Sequence, residues 1–195
     1  MLDRWFRPSR ARRFRAAKYD AWFRAMDRDR DGSITLDDLH DAADRLREHY
    51  GWPDDHPAHQ HVRAAGEAFW ATIVGEADRN RDADVRRDEF AAFLGWATEE
   101  HGRSGELPES ARIWVPRLFA MLDVDGSGSI TEEEYGLFLQ VMGGEGDAAT
   151  AFATLDLNGD GSLSLDEVTR LFEQWVVSGE PGQPGNVLMT GAEPS

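Results

Sequence analysis

The stretch from Asp123 to Glu134 reads Asp-Val-Asp-Gly-Ser-Gly-Ser-Ile-Thr-Glu-Glu-Glu. Oxygen-bearing side chains occupy its first, third, fifth, seventh, ninth and twelfth positions, with glycine at the sixth and isoleucine at the eighth. Calcium is a hard cation that takes six to eight oxygen ligands, and a twelve-residue loop can supply them from these positions. The glycine permits the sharp turn with positive φ that such a loop needs. We therefore interpret 123–134 as a calcium-binding loop.

The same pattern recurs three more times, in loops 27–38, 78–89 and 156–167. Their first residues are separated by 51, 45 and 33 positions in chain order. Apolar residues with helical spacing flank each loop, as Trp22 and Phe23 do before the first and Leu39 and Leu46 after it. A helix, a twelve-residue acidic loop and a second helix make up the EF-hand, so the chain is predicted to contain four EF-hands.

Fifteen side chains of the first, third and fourth loops are the candidate metal ligands. They are Asp27, Asp29, Asp31, Ser33, Asp38, Asp123, Asp125, Ser127, Ser129, Glu134, Asp156, Asn158, Asp160, Ser162 and Glu167. The first loop departs from the pattern at position 12, where Asp38 replaces glutamate and is one methylene shorter. The shorter ligand lowers the coordination number toward six, so we expect three calcium ions, with magnesium competing best in the first loop.

The second loop keeps its ligand residue types but has two unfavourable substitutions. Ala83 stands where glycine is expected, and a left-handed backbone costs an alanine about 1 kcal/mol. Arg86 places a cation where a bound water is usual. Two interpretations remain open: the loop binds metal weakly, or it only donates Val85 to a short pairing with Ile34.

These elements predict an all-α globule of about eight helices in two EF-hand pairs, with short two-stranded pairings between paired loops. Residues 1–18 form a basic arm and the start of the first helix. The N-terminal pair occupies 19–102 and the C-terminal pair 106–177. A Gly- and Pro-rich tail, 178–195, is expected to pack on the core through 187–189. The cations of the first helix, including Lys18, are expected to be solvated or to lie against the acidic body, although a membrane or partner-binding arm is the alternative.

The four hands, the long gap between the first two, the faulty second loop and the segment Pro184-Gly185-Asn186-Val187-Leu188 resemble the sarcoplasmic calcium-binding protein family, in particular its prokaryotic calerythrin-type members. The resemblance covers nearly the whole chain. It implies a compact globule in which two EF-hand pairs face each other, with ions in the first, third and fourth loops.

Composition narrows the function further. A formal net charge of −16 on 195 residues disfavours nucleic acid and anionic membranes as partners and attracts cations. The 20 arginines beside a single lysine suggest a bacterial coding sequence, and the absence of cysteine and of an apolar signal segment favours a cytoplasmic location. We expect a monomer, and a protein partner is not identifiable from sequence.

A calcium buffer is the favoured function, because five methionines are too few for the Met-rich groove of a calcium sensor. A sensor that regulates a partner protein is the alternative. A photoprotein-like small-ligand binder is a weaker one, since photoproteins resemble this chain in their hands but use a polar triad that we do not find in the sequence. No nucleophile–base arrangement predicts an enzyme.

Overall fold

The computed structural model describes residues 8–144 and 146–194, so residues 1–7 of the predicted basic arm lie outside it. The described residues form α-helices that flank four loops, as predicted. In chain order the elements are α1 (Arg10–Met26), β1 (Ser33–Ile34), α2 (Leu36–Tyr50), α3 (Pro57–Ala77), β2 (Val85–Arg86), α4 (Arg87–Ser104), α5 (Glu109–Arg112), α6 (Trp114–Leu122), α7 (Glu132–Met142), α8 (Ala148–Leu155), α9 (Leu165–Val177) and a 3₁₀ helix (Pro184–Val187).

The incoming helix of the third hand is in two pieces, α5 and α6, which meet at Ile113. Pro116 lies in the first turn of α6, where its missing backbone N–H breaks no helical hydrogen bond. The position of Pro116 predicts either a kink or the true start of this helix, and the structure shows the start. The four-residue helix α5 accounts for the difference from eight helices.

Neighbouring loops are joined by short antiparallel pairings centred on their eighth residues. Ile34 of β1 pairs with Val85 of β2, which is the predicted contact. In the C-terminal pair, Ile130 and Leu163 exchange two backbone hydrogen bonds of 2.9 and 2.8 Å. All four of these side chains are fully buried, so each pairing also contributes to the hydrophobic core.

The core is aromatic and is shared by both EF-hand pairs. Trp22 of α1, Trp114 of α6 and Trp175 of α9 are each at most 1% exposed. The ring centroids of Trp22 lie 5.1 Å from those of Trp175 and 6.1 Å from those of Trp114, which are favourable aromatic separations. Helix α3 packs against α6, and both α1 and α4 pack against α9, so contacts between the halves are extensive.

The residues after α9 fold back over the C-terminal pair. Leu188 and Met189 are buried, and the Tyr135 hydroxyl donates to the carbonyls of Val187 and Leu188. Asn186 is 1% exposed, and its Oδ1 accepts a hydrogen bond of 2.8 Å from Lys18 Nζ. The tail thereby connects α1 to the C-terminal hands.

Lys18 differs from the expectation that the cations of the first helix are solvated or lie against the acidic body. Its side chain is 2% exposed, and its Nζ donates to the Ser178 carbonyl at 2.9 Å as well as to Asn186. Burial, together with the neighbouring Arg15 charge, lowers the pKa of this amine to about 7. The N-terminal helix is therefore attached to the tail by a buried amine. Within the described residues no helix is both long and apolar enough to cross a membrane.

Candidate metal centres

Each loop is built around its first aspartate, which ends the incoming helix. The backbone N–H of Asp27, Asp78, Asp123 and Asp156 completes the last turn of that helix. One carboxylate oxygen of each then accepts from the backbone N–H at position 6, from Gly32 at 3.2 Å, Ala83 at 3.0 Å, Gly128 at 2.9 Å and Gly161 at 2.9 Å. This bond folds the loop back on itself, so that the side chains at alternate positions converge.

The acid at position 12 joins the two ends of each loop. One oxygen of Glu134 accepts from Val124 N at 2.9 Å, and the other accepts from Thr131 N at 2.8 Å. Asp38, Glu89 and Glu167 make the corresponding pairs of bonds in their loops. The same side chain caps the outgoing helix, since position 12 is the third helical residue.

The first loop gathers a compact group of acids. Asp27, Asp29 and Asp31 each offer a carboxylate oxygen, and these three atoms lie within 4.8 Å of one another. Asp27 Oδ1 is buried and has no hydrogen-bond partner among the described residues. Burial raises the pKa of Asp27, and the charges of Asp38, Asp31 and Asp29 raise it further. A cation at this point would satisfy the orphaned oxygen and relieve the repulsion, so the residues fit a metal ion.

Asp38 does not belong to that three-acid group. Its two oxygens are held by the loop ends, at 2.8 Å from Arg28 N and 2.8 Å from Thr35 N. The geometry is consistent with a ligand one methylene too short to tie the loop ends and also approach the other acids closely.

The third loop gathers Asp123, Asp125 and Glu134, whose ligand oxygens also lie within 4.8 Å of one another. Asp123 and Glu134 are buried, whereas Asp125 is exposed. Glu134, the longer acid at position 12, makes two backbone hydrogen bonds like those of Asp38 and still lies close to Asp123 and Asp125. Ser127 Oγ donates to the Ser129 carbonyl at 3.0 Å, which places positions 5 and 7 side by side.

The fourth loop shares the frame but holds its acids further apart. Within the described ranges no three acids of this loop have oxygens within 4.8 Å of one another. Position 3 is the amide Asn158, whose Nδ2 donates to Asp160 Oδ2 at 3.0 Å, and Asp160 Oδ1 accepts from Ser162 N at 2.9 Å. The predicted ligands are thus brought to one loop interior, with one anion fewer than in loop one and as many as in loop three.

The second loop has the same frame with an internal counterion. Arg86 at position 9 lies 3.5 Å from Asp82 at position 5, so the loop's own cation partly neutralises a ligand position. Ala83 adopts φ of 65°, the left-handed conformation that is costly for alanine. Glu89 bonds both loop ends, so the second loop keeps its shape without the usual glycine.

The backbone is also left-handed at the fourth residue of each loop, a feature that was not predicted from the sequence. Arg30 and Arg81 have φ of 62° there, while loops three and four have Gly126 and Gly159 at 70° and 74°. The glycines at these positions are a visible signal in the sequence. Loops three and four therefore have glycine at both left-handed positions. Loop one has glycine at one of the two positions, and loop two has it at neither.

Comparisons with known proteins agree with this geometry. An EF-hand domain pair model matches residues 114–173, and an EF-hand model matches residues 19–41. Sarcoplasmic calcium-binding proteins I, III and IV of Branchiostoma lanceolatum are 27% identical over 110 residues, which is 56% of this chain. The α chain of the sarcoplasmic calcium-binding protein of Penaeus vannamei is 28% identical over 118 residues. The matches span 60% and 58% of the length of these curated relatives.

Solved structures share the whole architecture. A Streptomyces coelicolor calcium-binding protein, described as a basis for prokaryotic calcium-mediated regulation, superposes with a TM-score of 0.65 at 28% identity, covering 82% of this chain and 95% of that one. The amphioxus sarcoplasmic calcium-binding protein gives 0.66 at 24% identity, covering 93% and 98%. The coelenterazine-binding protein of Renilla muelleri gives 0.74 at 19% identity, covering 95% and 100%, which shows a common fold.

Proposed function

We propose that this chain, in which two EF-hand models match and which is similar to the sarcoplasmic calcium-binding proteins, binds three calcium ions, in loops one, three and four, and acts as a calcium buffer. The fifteen side chains named from the sequence are the proposed ligands. The observation that carries the proposal is Asp27 Oδ1, which is buried in a group of three acids and has no hydrogen-bond partner in the described part of the chain, so that it calls for a cation.

The proposed number of ions rests on differences among the loops. Loops one and three gather three acids each, and loop four presents two aspartates, an asparagine and Glu167 around the same backbone frame. Loop two carries Arg86 against Asp82, so an ion there must displace an existing charge pair. We propose that loop two is a structural partner of loop one through the Ile34–Val85 pairing.

Calorimetric titration with calcium tests the number of ions. We expect three ions per chain in the wild type and two in Glu134→Gln, since the amide weakens the bidentate ligand of loop three. Glu89→Gln is the matched control, because it makes the same change in loop two and should leave three. A wild-type stoichiometry of two or four, or a loss of one ion in Glu89→Gln, would contradict the proposal.

The buffer role is supported by where the methionines lie. A sensor exposes a Met-rich groove on binding calcium. Here Met26, Met142 and Met189 are at most 3% exposed, and they pack in one core shared by both EF-hand pairs and the tail. Opening a groove would require separating the aromatic contacts of that core, so we propose that calcium changes the surface little. A monomer without an obligate protein partner is part of this proposal.

A sensor role is the second candidate, favoured by the likeness to the Streptomyces coelicolor protein, a calcium-binding protein of prokaryotic calcium-mediated regulation. Binding of a hydrophobic dye separates the two roles. A buffer should bind equally little dye with and without calcium, whereas a sensor should bind much more with calcium.

Photoprotein-like ligand binding has no support beyond the shared fold, because Trp22, Trp114 and their neighbours fill the centre of the core with ring contacts of 4.8 to 6.1 Å. We propose no catalytic activity.

A further inference from the structure

Helix α2 follows loop one in the chain and packs against loop three, which belongs to the other EF-hand pair. Its N-terminal turn carries Asp38, the last ligand position of loop one, and its last residue is Tyr50. A helix of this length is about 22 Å long. The C-terminal half of α2 lies against the third hand, since Leu46 packs with Leu137 of α7 in one buried cluster.

The contact between α2 and the third hand is a small hydrophobic cluster, separate from the main core. Five buried side chains form this second cluster, namely Ala43 and Leu46 of α2, Val62 of α3, Val124 of loop three and Leu137 of α7. Val124 is position 2 of loop three, and its N–H donates to Glu134. Loop three is therefore seated, through Val124, on α2 of the first hand and α3 of the second.

Aromatic rings extend this cluster at the C-terminal end of α2. Tyr50 stacks on Trp52 with centroids 4.4 Å apart and planes at 12°, and Trp52 stacks on His56 at 4.6 Å and 6°. Tyr50 and Trp52 both pack against the second cluster. Burial raises the pKa of Tyr50, and the negative charges of Glu133, Glu134 and Asp125 raise it further.

Side chains of α2 and of the third hand also line a common apolar cavity of about 30 Å³, to which Leu39 and Leu46 of α2, Val124 of loop three and Glu134 contribute. Beside the cavity, Leu46 belongs to the same buried cluster as Val124. Where side chains are packed in contact, a shift of one element displaces its neighbour. A displacement of the loop-one end of α2 therefore moves the surface on which loop three is seated.

We propose that α2, seated on loop three through Tyr50, Trp52 and the second cluster, couples calcium binding in loop one to calcium binding in loop three. Tyr50 is a positioning residue in this scheme, since it acts on the loop through the packed contact. The inference rests on the proposed occupancy of these two loops and goes beyond it, because the backbone pairings join loop one to two and loop three to four. Coupling must be reciprocal, so each ion strengthens binding of the other by the same factor.

The glycine amides at position 6 give a separate signal for each site. Gly32, Gly128 and Gly161 donate to the first aspartates of loops one, three and four. Calcium titrations followed by nitrogen–proton correlation spectra of the whole chain therefore yield three site-resolved midpoints. Loss of calcium binding in loop three by Glu134→Gln should move the Gly32 midpoint to about fivefold higher calcium.

Replacing Tyr50 should remove this linkage. In Tyr50→Ala the Gly32 midpoint should be the same, within twofold, with and without Glu134→Gln. Tyr50→Phe keeps the ring stack and should retain the fivefold effect, which also shows that position 50 tolerates substitution. Trp96→Ala is the matched control, because Trp96 is an aromatic residue of α4 that is 40% exposed and lies outside the second cluster.

The outcomes separate this inference from the function on which it rests. If the three glycine amides respond to calcium but the Gly32 midpoint is the same with and without Glu134→Gln, the loops bind ions independently and the coupling is overturned. A Gly32 shift that persists unchanged in Tyr50→Ala also overturns it. If none of the glycine amides responds to calcium, the proposed function itself fails.

Discussion

Asp38 differs from Glu134 by a single methylene, and the structure shows what that methylene does. Both acids tie their loop ends with two backbone bonds, but only Glu134 also joins a group of three acids within 4.8 Å in the described residues. Asp38→Glu should therefore bind calcium about tenfold more tightly in loop one and lose relative preference for magnesium. The Gly32 midpoint with and without magnesium measures both effects. Glu134→Asp is the reciprocal change and should weaken calcium binding in loop three, as measured by the Gly128 midpoint. A Gly32 midpoint unchanged by Asp38→Glu, together with a Gly128 midpoint unchanged by Glu134→Asp, would contradict the prediction.

Two residues of loop two should together decide whether it binds an ion. Ala83→Gly removes the left-handed strain at φ of 65° and should raise the free energy of unfolding by about 0.5–1 kcal/mol, without adding a metal site. Adding Arg86→Thr removes the cation beside Asp82, so the double variant should bind four calcium ions. Urea unfolding and calorimetric titration measure the two effects. A fourth ion in the single variant, or three in the double variant, would show that another feature controls this loop.

At the scale of elements, the loops could be predicted because they follow local rules. The contacts that depend on long-range packing could not be predicted. The positions of the ligands, the helix ends and the Ile34–Val85 pairing all follow from the twelve-residue spacing, because each depends on contacts within or between equivalent loops. The burial of Lys18 depends on Ser178 and Asn186, 160 and 168 residues away, and no local pattern indicates that partnership. The seating of Tyr50 on loop three is likewise a contact between halves of the molecule.

The attachment of α1 to the tail should make stability depend on pH. Lys18 has a pKa of about 7 in the folded chain and an ordinary value of 10.5, so between these values the unfolded chain binds more protons. The free energy of unfolding should therefore rise with pH in this window, by up to about 1.4 kcal/mol per pH unit. Thermal unfolding at pH 7 and 9.5 measures the rise; higher pH is avoided because buried Tyr19, with a pKa raised to about 12, adds an opposite dependence.

Lys18→Met is the control for that measurement. Methionine fills a similar volume and has no proton to release, so the difference between the two pH values should shrink to that of the remaining groups. Equal pH dependence in the wild type and in Lys18→Met would show that the amine keeps its proton inside the fold.

The whole molecule is strongly acidic, and the acids of the proposed ion sites contribute to its charge. Three divalent ions would reduce the formal net charge from −16 to −10, and an ion that binds the folded chain in preference to the unfolded one stabilises the fold. Calcium at 100 times its dissociation constant should add about 2.7 kcal/mol for each site that it fills. Calorimetric melting with calcium and with chelator checks this. Glu134→Gln should show a smaller calcium-induced shift, whereas Glu89→Gln should match the wild type; an unchanged melting temperature in calcium would contradict the prediction.

The burial of Lys18 also has a chemical consequence. It is the chain's only lysine, and it is 2% exposed. Acylating enzymes, amine-reactive dyes and lysine-directed cross-linkers all need a primary amine that they can reach, and the folded protein offers none from its side chains. Regulation through lysine modification would first require the tail to detach from α1, so the same contact that holds the fold together also shields it from a whole class of covalent marks.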